Sequence, residues 1–238
     1  MRKSGILSQM VVLVIMIGGL SSCIKSGSNS NSSSNVVTFV SLMNLASTSA
    51  DIYLNGTKAS QTAAAPGFFD QRYEQLTPGA YDIQFKAAGS DSVLAELPAS
   101  FYDSLNFNTV ILYNNAGSST ANAVKITDDF STLNVTSANY RFFNMSPDVP
   151  LVDLYFNSTA MQGNRATADN VVNTGYNAFQ SVTPGIYNLQ VKKAGTDSVI
   201  ASLSGVSLVA GTASTIFLKG RAANTSNPIS LNVLVATY

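Results

Sequence analysis

The most regular hydrophobic pattern in the chain has a period of two. Tyr81, Ile83 and Phe85 alternate with Asp82, Gln84 and Lys86, and Tyr187, Leu189 and Val191 alternate with Asn188, Gln190 and Lys192. Such alternation puts one face of an extended segment on a core and the other in water, so each stretch predicts a β-strand. Similar short runs occur at 36–43, 52–54, 68–75, 92–97, 108–113 and 123–127, with turn-forming residues between them. Six or seven short strands within about 100 residues predict an antiparallel sandwich.

The pattern occurs twice. An offset of 106 positions carries Thr77-Pro78-Gly79-Ala80-Tyr81 onto Thr183-Pro184-Gly185-Ile186-Tyr187, and Thr109-Val110-Ile111-Leu112 onto Thr215-Ile216-Phe217-Leu218. Upstream, Asp51-Ile52-Tyr53-Leu54-Asn55 matches Asp153-Leu154-Tyr155-Phe156-Asn157 at an offset of 102, so the connection after Asn157 is longer than the one after Asn55. The expected fold is all-β, with two tandem antiparallel β-sandwich domains of immunoglobulin-like type at 36–132 and 137–238. In each Thr-Pro-Gly, Pro78 or Pro184 pre-sets φ, and Gly79 or Gly185 is expected to supply the positive φ of a type II turn. Tyr81 and Tyr187 then read as tyrosine corners, structural residues whose hydroxyls bond back to nearby backbone.

The first 35 residues have a different character. Arg2 and Lys3 precede an apolar run from Met10 to Leu20, which is too short for a comfortable membrane span and has the layout of an export signal. The run closes as Leu20-Ser21-Ser22-Cys23, which resembles the lipobox of bacterial lipoproteins. The resemblance implies a signal peptide over 1–22 and lipidation of Cys23 as the mature N-terminus. Acyl chains contribute about 0.8 kcal/mol per buried methylene, so two or more hold a protein on a bilayer. Residues 26–35 are Ser, Gly and Asn only, a flexible tether of roughly 20 Å r.m.s. span. The expected location is the cell envelope, anchored at the outer membrane. Acidic residues of the kind that follow the Cys in some surface lipoproteins are missing, which leaves periplasmic and cell-surface orientations open.

Composition narrows the chemistry. Formal net charge is zero, so no basic field exists to attract nucleic acid. The chain has no His, its single Cys is Cys23, and its only Glu residues are Glu74 and Glu96. The usual general bases, zinc ligands and thiol nucleophiles are therefore lacking, and no cofactor or metal is implied. Paired Asp residues would suffice for a glycosidase, but Asp51 and Asp153 sit at equivalent strand starts, where a structural role is expected. Asp128-Asp129, or Asp148 with Asp153, read as turn formers rather than calcium ligands.

One segment carries a family resemblance. Arg141-Phe142-Phe143-Asn144-Met145-Ser146-Pro147-Asp148-Val149-Pro150-Leu151-Val152-Asp153-Leu154-Tyr155 resembles the opening of the bacterial domain of unknown function numbered 4397, as does the later Pro-Gly-x-Tyr. Copy two fits better, because copy one lacks the Ser-Pro-Asp. The resemblance implies an extracytoplasmic β-domain and carries over no catalytic residue.

The expected function is that of a non-catalytic envelope module with a structural, adhesive or ligand-binding role. A carboxylate-based hydrolase, for example a glycosidase, is the alternative. A protein or glycan is the expected partner besides the membrane at Cys23. Phe101 and Tyr102 occupy positions held by Ser207 and Leu208 in copy two, and are candidate stacking platforms for a ligand. Ser92 and Ser198 lie in Asp-Ser-Val tripeptides at the same repeat position, and resemble an acceptor that some bacteria O-glycosylate.

Overall fold

The computed structural model describes residues 36–236, so Cys23 and the export segment lie outside the described residues. Copy one contributes β1 (Thr38–Asn44), β2 (Ala50–Leu54), β3 (Thr57–Lys58), β4 (Phe68–Phe69), β5 (Glu74–Leu76), β6 (Gly79–Ala87), β7 (Val93–Tyr102), β8 (Phe107–Asn114) and β9 (Ala121–Asp128). Copy two contributes β10 (Ala138–Asn144), β11 (Val152–Phe156), β12 (Thr159–Arg165), α1 (Asp169–Val172), a 3-10 turn (Thr174–Asn177), β13 (Gln180–Val182), β14 (Gly185–Lys193), β15 (Val199–Leu208), β16 (Ala213–Lys219) and β17 (Ser230–Ala236). Each copy is a two-sheet sandwich. The outer sheets run β3-β2-β6-β7 and β12-β11-β14-β15; the inner sheets run β4-β1-β8-β9, with β5 also on β1, and β13-β10-β16-β17.

The inner sheets depart from the expected antiparallel order. β1 runs parallel to β8 and β10 parallel to β16, so both sheets are mixed. Parallel pairs are characteristic of sheets covered on both faces. That is the situation here, because the inner sheet of copy one packs its own sandwich with one face and copy two with the other. Ile52, Ile83, Phe85, Val110 and Leu112 lie in the first sandwich core, and Tyr140, Phe142, Leu154, Phe156 and Leu189 in the second. A third cluster joins Met43, Leu45, Ile111, Tyr113 and Ile126 of copy one to Phe143, Met145, Phe217 and Leu234 of copy two.

Strand register makes this third core self-complementary. It equates Met43 with Phe143, Ile111 with Phe217 and Ile126 with Leu234. Both copies therefore use the same face, as the subunits of an isologous dimer do. One buried ion pair breaks the equivalence. Arg141 of β10 meets Asp128 of β9 at 2.6 Å, both side chains being almost fully buried. Asp128 Oδ1 is held by that charge, while Oδ2 accepts from the Tyr73 hydroxyl at 2.7 Å and Thr109 Oγ1 at 2.6 Å. Arg141 Nε donates to Thr215 Oγ1 at 2.9 Å, and the guanidinium lies 4.5 Å over the Phe179 ring. The corresponding positions in the other copy hold Ser41 and Ala236, so the pair forms at one end of the interface only.

Local features follow the repeat closely. The Tyr81 hydroxyl donates to Thr77 O at 2.8 Å and that of Tyr187 to Thr183 O at 2.6 Å, which are the expected corners. The turn before them is not type II. Gly79 and Gly185 are absent from the positive-φ residues among those described, and each opens a strand paired to Tyr102 or Leu208. The tyrosine ring folds back instead over its own glycine, so that a Cβ there would lie 3.5–3.6 Å from it. The predicted strand at 68–75 is broken between β4 and β5. Asp70 occupies the break and takes over a place in the ladder: its amide donates to Leu42 O at 2.9 Å and its Oδ2 accepts from Leu42 N at 2.7 Å. The longer connection in copy two forms α1 and the 3-10 turn, whose Ala168 and Val171 pack against the shared core.

Candidate functional site

The carboxylates that sequence offered for hydrolysis or metal binding are each engaged in the architecture. Asp51 is buried, accepts from Gly89 N at 3.0 Å and pairs with Lys58 at 2.9 Å. Burial raises its pKa, but the Gly89 amide and Lys58 outweigh this and hold it below the ordinary value. Asp153 makes the equivalent bond to Gly195 N at 3.0 Å and accepts from Asn164 N at 2.8 Å. Both therefore tie a hairpin turn to the neighbouring strand. Asp148 is held below its ordinary pKa by a two-pronged hydrogen bond from Arg221. Asp129 caps Ser131 N at 2.9 Å. Among the described residues no group of three or more His, Cys, Asp and Glu converges.

The candidate aromatic platform divides. Tyr102 is 1% exposed and fills the core position that Leu208 fills in copy two, so it is not an open stacking surface. Its ring packs edge-on against Tyr81, Lys125 lies 3.7 Å over its centroid, and burial pushes its pKa up to about 12. Phe101, its neighbour on the edge strand β7, points the other way and is 60% exposed. Alternation along a strand is the reason the two cannot act together. Ser92 and Ser198 are exposed beside matched turns, with Ala87 and Lys193 amides donating to their carbonyls.

A different place combines an apolar cavity with unmatched charge. Between the two sheets of copy one, a pocket of about 50 Å³ is walled by Val40, Leu42, Leu54 and Ala59, with Asp70 and Glu74 among its lining residues. β1 brings Val40 and Leu42, β2 brings Leu54, the β4–β5 break brings Asp70, and β5 brings Glu74. Burial raises the Asp70 pKa to about 7, opposed by the Leu42 amide and assisted by repulsion from Glu74. Glu74 pairs with Arg72 at 3.4 Å, and that arginine is largely exposed. Among the described residues no ion pair involving Asp70 is seen.

Register shows why the pocket belongs to copy one. Val40, Leu42 and Leu54 stand where copy two has Tyr140, Phe142 and Phe156, and Ala59 stands at the place of Met161. All four copy-two residues are larger and pack in its core cluster. The second sandwich thus fills with side chains the space that the first leaves open. Neither the pocket nor the Arg141–Asp128 pair was singled out from sequence. The signal for the first lay in comparing the core positions of the two copies, and for the second in a charged residue inside the apolar strand Tyr140-Arg141-Phe142-Phe143.

These features define a protein of two tandem all-β sandwiches joined face to face, with one open pocket described. The chain matches the family described as Domain of unknown function (DUF4397) twice, over residues 38–155 and 141–236, and it belongs to that family. No curated protein matches the chain.

Proposed function

We propose that the protein is a non-catalytic, ligand-binding module of the cell envelope, anchored to the outer membrane by lipid at Cys23 and working as one two-copy body. The observation that carries the reading is the pocket of copy one, set in a fold whose second copy closes the same place. An apolar pocket with a few convergent polar groups is the default place to look for a binding site in any fold. Use of Asp51, Asp128, Asp148 and Asp153 as structural ties supports binding rather than carboxylate hydrolysis.

Attachment and modification are tested together by intact-mass measurement of protein from its native host. Lipid at Cys23 and hexose-sized increments at Ser92 and Ser198 are the expected additions, and Cys23→Ala is expected to abolish lipid labelling and leave the precursor uncleaved. Normal processing of that variant contradicts the anchor, and a mass matching the lipidated polypeptide alone contradicts glycosylation. The binding role is tested by amide NMR of the mature chain with a library of small amphipathic compounds. Shifts are expected around Leu42 and Ala59, whereas a library that leaves those amides unmoved removes the pocket as the site.

A further inference from the structure

Copy two shows what the pocket of copy one lacks. There the Tyr140 ring packs 4.8 Å from the ring of Phe156, and its hydroxyl donates to Gln180 Oε1 at 3.0 Å. The Gln162 amide donates to the same oxygen at 3.3 Å, so the neutral acceptor is satisfied from within the chain. Copy one replaces Tyr140 by Val40 and Gln180 by Glu74. The space of a ring is vacated and the acceptor beside it becomes a carboxylate. The strand break then adds Asp70, a second carboxyl lining the same pocket. A volume of about 50 Å³ takes a compact group, since an engineered cavity of about 150 Å³ is what a whole benzene ring requires.

On the reading of this pocket as a binding site, we propose that it takes a small primary amine: a compact branched alkyl end fills part of the space that Tyr140 occupies in copy two, and the protonated amine donates to Asp70 and Glu74. A neutral donor would be served by the glutamine that copy two retains. Two carboxylates with little internal compensation select a cation and repel an anion, and charge-assisted hydrogen bonds are about twice as strong as neutral ones. Loss of the partly buried Asp70 charge at low pH would weaken the site, so its chemistry is best read above neutrality.

The test uses three probes with one compact apolar body and different heads: isopropylamine, isopropanol and isobutyrate. Each is titrated into the mature chain at pH 8, with amide shifts of Leu42 and Ala59 as the readout. The amine is expected to bind roughly tenfold more tightly than the alcohol, equivalent to about 1.4 kcal/mol, and isobutyrate not to bind. Asp70→Asn with Glu74→Gln is expected to bring the amine down to the level of the alcohol. Val40→Tyr is expected to close the pocket to all three, with Ala59→Met as the second filling variant should the first not fold. Equal binding of amine and alcohol overturns the cationic ligand class while leaving the pocket as a site. Absence of any shift from all three probes overturns both.

Discussion

Arg141→Ala is expected to destabilise the protein by about 3–5 kcal/mol, because it leaves the buried Asp128 carboxylate without its counter-charge. For a domain of this size that corresponds to a fall in melting temperature of roughly 6–20 °C, at about 2–4 °C per kcal/mol. Asp128→Asn is expected to cost a similar amount by stranding the guanidinium between the two copies. The double variant Arg141→Met with Asp128→Asn removes both charges and keeps an acceptor for Tyr73 and Thr109. It is expected to be more stable than either single variant, since a buried pair repays little more than its own desolvation. Thermal and urea unfolding of the unsubstituted protein, Arg141→Met, Asp128→Asn and the double variant checks this, and strictly additive losses would contradict the pair as a coupled unit.

Phe217→Ala is the second large effect, at about 3–5 kcal/mol for a fully buried phenylalanine. Phe217 belongs to neither sandwich core. It lies in the shared cluster, where its ring meets that of Phe69 from copy one edge-on at 5.1 Å. The loss is therefore expected to appear as a separation of one calorimetric transition into two, as the copies lose their mutual support. A control in the sandwich core, Leu189→Ala, is expected to lower stability without that separation. A single transition retained in Phe217→Ala would show that this ring does not carry the coupling between the copies.

The two sandwiches were legible because their outer sheets have one wet face. β6 and β14 alternate inward and outward residues, and period two exposes this directly. The inner sheets were less transparent for a physical reason. β10 is buried at every residue and β8 at all but one, so apolar residues stand on both faces of each strand and the alternation disappears. Val110-Ile111-Leu112-Tyr113 and its repeat Ile216-Phe217-Leu218 carried that information without being read as a sign of a second packed face. The parallel pairing of β1 with β8 was not visible in periodicity at all, because it is set by tertiary connection. Pro78-Gly79 had the composition of a type II turn, yet the ring of Tyr81 over Gly79 accounts for the glycine instead. The pocket escaped notice because it is a difference in size between equivalent core residues, and size differences do not alter a hydrophobic pattern.

The central claim is that the chain is one four-layer body and not two independent beads. Its most direct test is to insert a protease site into the exposed connection between Ser131 and Thr132, cleave the folded mature protein there, and measure sedimentation of the product. The account predicts that the two halves stay together as a single particle with the mass of the uncut chain, and that Arg141→Ala makes them separate more readily on dilution. Two half-mass particles at micromolar concentration, released from the unsubstituted protein, would contradict it.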